Sequence, residues 1–176
     1  MTAISLALDP GLAIEATPAP SAEAPFEVHE LFFSRTDAAG IIQAGNDVFQ
    51  RVSAYEWDEL IGKPHKIVRH PDTPRAVFWL LWDTIGQGRP IGAYVKNRAK
   101  DGRHYWVFAI VTPVDGGYLS VRLKPTSPLL AVVKQEYAAL AAAERAEAIA
   151  APAAAAALLL RLGELGFADY PSFMSA

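Results

Sequence analysis

Arg69, His70, Asp72 and Arg75, with Lys66 close by, form a dense polar knot just ahead of a stretch with helical periodicity. Cations gathered at a helix start suit an anionic group such as a phosphate, because the exposed backbone donors and the helix dipole both favour negative charge there. The stretch that follows carries Val77 or Phe78, Leu81, Trp82 and Ile85 at three-and-four spacing, with Asp83 and Gln87 elsewhere, so one face is large and aromatic. Side by side, the knot and the face suggest a planar ligand with a charged tail. The plainer reading of the same residues is a solvated loop leading into a core-facing helix.

The elements that must position these groups are punctuated by proline and glycine. Pro71 and Pro74 stop any regular element around residues 69–73, since each removes a backbone donor and restricts the residue before it. A helix is then expected to start near Thr73 or Pro74, with Thr73 as cap and Pro74 at the first helical position. Residues 29–36 and 41–44 read as two short strands around the Asp37-Ala-Ala-Gly40 turn. Residues 46–54 follow as a short helix with Asn46 or Asp47 available as cap, and residues 56–61 as another turn ended by Gly62 and Pro64. After Gly86-Gln-Gly-Arg-Pro90, strands are expected at 91–98, 104–112 and 118–123, joined by the Asp101-Gly102 turn and a second turn at 113–117. Two strands before the helices and three after give an α+β architecture: a five-stranded antiparallel sheet with short helices and one longer helix on one face.

Composition narrows the function. The 176 residues hold one ordinary domain plus appendages, and a formal net charge of −3 argues against non-specific nucleic-acid binding. There are no cysteines, which excludes disulfides, thiolate metal sites, cysteine nucleophiles and a cysteinyl photoadduct on a flavin. Residues 1–25 are rich in Ala and Pro and read as a flexible leader; the apolar patch at 3–8 lacks a basic start and is a poor secretory signal. Residues 126–176 form an alanine-rich helical extension broken at Pro152, read as a helical hairpin or an oligomerisation segment. Its apolar run, 148–160, falls short of the roughly 20 residues that a membrane span requires. Its last residues carry no closing signal and read as the start of a truncated signalling region.

Asn46-Asp47-Val48-Phe49, Gly62-Lys-Pro-His65, Arg69-His-Pro-Asp-Thr-Pro74, Leu81-Trp82, Val95-Lys-Asn-Arg98 and Gly102-Arg-His-Tyr-Trp106, in this order and spacing, closely resemble the flavin-binding PAS sensor domain of bacterial aerotaxis receptors. The resemblance covers about residues 28–125 and implies a PAS fold over 26–125 that holds a noncovalent FAD between sheet and helices. It implies contacts from Arg69, His70, Asp72, Phe78 and Trp82, with the amides of Asn46 and Asn97 near the ring. Amide side chains both donate and accept, as the edge of an isoalloxazine requires. Each residue also has an ordinary use: Asn46 as a helix cap, Trp82 as core, Asp72 as the partner of a neighbouring cation, His70 in the Pro-Asp turn.

The resemblance further implies a cytoplasmic redox or oxygen sensor for aerotaxis and chemotaxis rather than an enzyme. It implies a homo-oligomer through the flanking helices, and a downstream chemotaxis signalling module that these residues do not contain. A flavoenzyme is the first alternative, weakened by the absence of a Gly-rich dinucleotide fingerprint and by a domain of roughly 100 residues with little room for a second substrate. A PAS interaction module with another ligand or none is the second. Haem is disfavoured because His29, His65, His70 and His104 all lie off the aromatic helix face.

Overall fold

The computed structural model describes residues 22–174. Five strands, β1 (Phe32–Asp37), β2 (Ile42–Gly45), β3 (Ile91–Arg98), β4 (His104–Val114) and β5 (Gly117–Leu123), form one antiparallel sheet in the order β2-β1-β5-β4-β3. Helices α1 (Asp47–Ser53), α2 (Trp57–Leu60) and α3 (Arg75–Gly86) lie between β2 and β3, with a short 3-10 helix at His65–Val68. The expected fold class and strand count are what the structure has. Of the expected leader, residues 1–21 lie outside the described residues. The remainder is already tied down: Ala24 N–H donates to the His104 carbonyl and His104 N–H to the Ala22 carbonyl.

Alternation along each strand decides what the sheet offers to the helices. Ser34 and Thr36 of β1, Ser120 and Arg122 of β5, Ala109 and Val111 of β4, and Val95 and Asn97 of β3 share one face, with Ser34, Ser120 and Val111 in register across three strands. The helices close over that face. The core on the same face is built on Phe26, Phe32 and Tyr105, whose rings meet at 5.0 to 6.4 Å, with Phe49, Val52, Leu60 and Val68 packed around them.

The start of α3 differs from its expected form. Pro74 takes the cap position and Arg75 begins the helix, while the Thr73 hydroxyl donates to the Lys96 carbonyl and accepts from Lys96 N–H, both at 3.0 Å. Thr73 therefore pins the loop to β3 and is lost to capping. The free donors of the first turn are taken by a residue far away in sequence. Glu144, 5 % exposed, accepts from Arg75 N–H through one carboxylate oxygen and from Ala76 N–H through the other, each at 2.8 Å. A buried carboxylate at a helix N-terminus is favoured by the same donors and dipole that would attract a free anion.

Glu144 belongs to α4 (Leu129–Ala146), which with α5 (Ala151–Glu164) and α6 (Tyr170–Met174) folds the C-terminal extension back on the domain. Tyr137 of α4 lies at 6.3 Å from Trp106, which alternates with Tyr105 and Val107 and so faces the opposite side of the sheet. Helix α5 packs on α3, and α6 on the edge strand β3. The extension thus straddles that edge, and a covered edge cannot pair with another chain. Ala154, Ala155, Leu158 and Leu162 are buried, and the Tyr137 and Tyr170 hydroxyls meet at 3.1 Å. The expected hairpin exists, and much of its apolar surface is used within the chain, while Val132, Leu159, Leu160 and Leu165 stay exposed.

Glu144→Ala is expected to lower stability by about 2 kcal/mol, because two backbone donors of α3 lose their acceptor while partly buried. Glu144→Gln, which keeps one acceptor oxygen, is expected to lose about half as much. Urea unfolding of both variants checks this; midpoints equal to the parent's would mean that the extension is not docked through this residue.

Candidate functional site

A cavity of about 210 Å³ lies between the inner sheet face and α3. An apolar cavity of roughly 150 Å³ already holds a benzene ring, so this one admits a larger planar group. Its apolar walls are Leu81, Ile85, Phe78 and Trp82 from α3 and Val95, Ala109 and Val111 from the sheet. Ser34, Ser120, Asn97, Arg122, Arg69 and His65 supply the polar part.

Helix periodicity explains α3. Val77, Leu81 and Ile85 are buried, while Phe78 and Trp82, one position on, reach the cavity rim. Trp82 is 40 % exposed and meets Tyr118 edge to face at 5.5 Å, so it is a rim residue and not plain core. Gly40, at φ +77°, leaves the space that Trp82 occupies: a Cβ there would lie 2.9 Å from the indole. The turn that presents Gly40 is held by Asp37, whose Oδ1 accepts from both Ala39 N–H and Ile41 N–H at 2.9 Å.

The polar groups are unusually short of partners. Arg122 is 4 % exposed; one Nη donates to the Ser34 hydroxyl at 2.8 Å and to His65 Nε2, while its Nη1 is buried without a partner. No carboxylate lines the cavity among the described residues. Burial lowers the Arg122 pKa to about 10, so the guanidinium stays charged at neutral pH. His65 is stacked on Phe49 at 5.8 Å with the planes 7° apart, and enclosure together with the nearby Arg122 charge holds its pKa well below the ordinary value. The imidazole is therefore neutral, with Nε2 accepting from Arg122. Asn97 is 4 % exposed and its side-chain amide has no hydrogen-bond partner among the described residues. Arg69 lies with its guanidinium carbon 3.5 Å from the centroid of Phe78, and its Nε is buried and unpaired. Buried donors left unmade cost about 1–3 kcal/mol each. Here they line one space, which is suited to a planar heteroaromatic group with acceptors along its edge.

Four of the seven residues expected at the site, Arg69, Phe78, Trp82 and Asn97, line this cavity. Three do not. Asn46 is absorbed by the backbone: its Oδ1 accepts from Phe33 N–H and Phe49 N–H, and its Nδ2 donates to the Leu31 carbonyl at 2.8 Å, clamping α1 to β1. His70 lies outside the cavity, with Nδ1 accepting from Asp72 N–H at 3.1 Å. Asp72 is exposed and paired with Lys96 Nζ at 2.8 Å, a hydrogen bond that holds its carboxyl below the ordinary range. The phosphate site expected at the start of α3 is filled by Glu144. Sequence reasoning missed Arg122, His65, Ser34 and Ser120.

Residues 44–123 match the family model of the PAS fold, so this is a PAS domain. Solved structures agree in fold: the light-state structure of the blue-light photoreceptor Aureochrome1 LOV superposes with a TM-score of 0.53 at 20% identity, covering 59% of this chain and 88% of that one. Within the class, the resemblance read from the motifs holds. The chain is 41% identical over 138 residues to the aerotaxis receptor of Escherichia coli K12, covering 76% of this chain and 26% of the receptor. It is 32% identical over 81 residues to the nitrogen fixation regulatory protein of Klebsiella pneumoniae, covering 46% of this chain and 16% of that protein. The chain thus spans about a quarter of the first relative's length and less of the second's. No helix of the described residues is long and apolar enough to cross a membrane.

Keeping His65 neutral makes stability depend on pH. Its folded pKa lies below its unfolded value, so below about pH 6.5 the unfolded chain binds a proton that the folded one refuses. Stability is expected to fall on acidification from pH 6.5 to 5 with a slope from this residue approaching 1.4 kcal/mol per pH unit. Denaturant unfolding as a function of pH checks it: His65→Asn should flatten the slope in that window, and an unchanged slope would remove His65 as the cause.

Proposed function

We propose that this PAS domain binds FAD noncovalently and senses redox state for aerotaxis or a related chemotactic response. The observation that carries the reading is the buried Arg122 guanidinium, unpaired at Nη1 and without a carboxylate, beside the unpaired Asn97 amide in an apolar slot. Those residues fit the group. Asn97 would serve the edge of the ring, Arg122 and Arg69 its acceptor atoms, and Leu81, Ile85, Val95 and Trp82 its faces. His70 and Asp72 sit beyond Arg69 and would meet the rest of the cofactor, whereas Asn46 acts on the fold alone. The relatives' names support the class of output, and the missing cysteine removes adduct chemistry as the trigger.

When bound, FAD supplies reversible electron uptake. What the chain supplies is a fixed positive charge: Arg122 favours an electron-rich ring over an electron-poor one, and neutral His65 leaves that charge undiluted. Arg122 is tied to β1 through Ser34 and to the 3-10 helix through His65. A change of charge in the cavity therefore acts on two elements at once. A switch of this kind requires the two ligand states to prefer different arrangements of those ties.

The purified protein is expected to be yellow, with the two absorption bands of oxidised flavin, and to release FAD on denaturation. Arg122→Gln should bind FAD more weakly and lower its midpoint potential by about 30–60 mV, since 30 mV corresponds to about 1.4 kcal/mol for a two-electron couple. A colourless protein that takes up no added FAD would leave a PAS interaction module as the better account.

A further inference from the structure

A second chamber, of about 520 Å³, adjoins the cavity. Arg69 and Phe78 line both spaces, so their stacked pair is the partition between them. One wall of the chamber is the 69–75 loop with the start of α3. The other is α4, through Ala141, Glu144 and Arg145.

Charge in the chamber is uneven. Three guanidinium groups, Arg69, Arg75 and Arg145, face one carboxylate, Glu144. That carboxylate is committed: its two oxygens already accept from two backbone donors, and Arg75 Nε lies 3.6 Å away. Arg75 also donates to the Ile149 carbonyl at 2.7 Å, which ties the connection between α4 and α5 to the start of α3. Arg145 makes no hydrogen bond or ion pair among the described residues, and Arg69 Nε is buried without a partner. His70, its Nδ1 occupied by Asp72 N–H, is neutral and keeps Nε2–H as a donor. Asp72 is neutralised by Lys96. Planar guanidinium forks with spare N–H groups are matched to phosphate oxygens.

We propose that this chamber holds the pyrophosphate-bearing tail of the ligand whose ring fills the cavity, and that helix α4 of the extension is one wall of the ligand site. The inference rests on the flavin reading. Its consequence is reciprocal: a docked extension strengthens binding of a phosphate-bearing flavin, and such a flavin strengthens docking of the extension by the same factor.

The experiment uses the full chain and two ligands that share a ring, FAD and riboflavin. Arg145 is exposed and unpaired, so R145E is expected to unfold at the parent's denaturant midpoint, and R145A provides a milder second variant. Fluorescence titration should give an FAD affinity lowered tenfold or more in R145E and several-fold in R145A, with riboflavin unchanged within twofold. Hydrogen exchange should find residues 129–146 better protected with FAD than with riboflavin. Equal FAD affinity in the parent and both variants, a loss shared equally by riboflavin, or faster exchange in α4 on adding FAD would overturn the proposal. A parent protein that binds riboflavin as tightly as FAD overturns it alone, whereas one that binds neither flavin overturns the flavin reading and this proposal with it.

Discussion

A guanidinium sits inside an apolar slab with a hydroxyl and an imidazole as its protein partners. Carrying an ion out of water is expensive, and buried cations are ordinarily matched by a carboxylate. Arg122 has no such match, only Ser34 and His65, and one of its terminal nitrogens has nothing. Its tolerance constrains the neighbours. His65 must stay neutral, because a second cation within hydrogen-bond distance would be repelled, and the stacking of its ring on Phe49 keeps it enclosed. The sheet must present small hydroxyl residues, Ser34 and Ser120, where bulk would close the space. A site that keeps an uncompensated positive charge and an idle amide is organised for a partner that carries electron density.

Helix α3 is the element that joins this interior to the rest of the chain. One side of it, Phe78, Leu81, Trp82 and Ile85, walls the cavity, and another packs on α5. Its first turn is completed by Glu144, so the helix ends its hydrogen bonding in a residue of the extension. Twelve residues of helix are too short to be strongly stable alone, since isolated helices of that length are marginal in water. Its position is thus set by what it packs on at each side, and both sides belong to elements that a ligand or a partner can address.

The fold was legible because its signals are local. The Asp101-Gly102 turn, the Pro71 and Pro74 breaks and the three-and-four spacing of α3 each act over a few residues, and the family motifs confirmed their order. The cavity was only half legible. Arg69, Phe78, Trp82 and Asn97 stood out by type and motif, but β5 misleads. Its apolar residues, Leu119, Val121 and Leu123, lie on the outer face, while Ser120 and Arg122 point inward. Ordinary alternation assigns the apolar set to the core. The inversion is itself the signal of a polar cavity, and β1 adds Ser34 and Thr36 to the same inward face, beyond the buried Phe32. Asn46 was ambiguous for a different reason. A cap and a ligand amide are the same chemical group, and only the positions of Phe33 N–H and the Leu31 carbonyl decide which it is.

The role of Glu144 was beyond any local pattern, because it lies 69 positions from the helix it caps. In sequence it is one charge in a Glu-Arg-Ala-Glu cluster on an alanine-rich helix, the usual mark of a solvated face. What buries it is the return of the chain around β3, driven by Val133, Tyr137 and Ala141 on one stripe of α4. That stripe fixes the register, and the register delivers Glu144 to the first turn of α3 and Arg145 beside Arg69 and Arg75. Coupling between a cavity and a distant segment requires a shared element with more than one packing arrangement. Here the shared element is the start of α3, where a carboxylate from the extension satisfies the donors and a stacked Arg69 on Phe78 separates the two spaces. Any displacement of Phe78 by an occupant of the cavity is felt within one helical turn of the Glu144 contact, so that cap joins the direct packing of α3 on α5 as a route from the interior to the C-terminal helices.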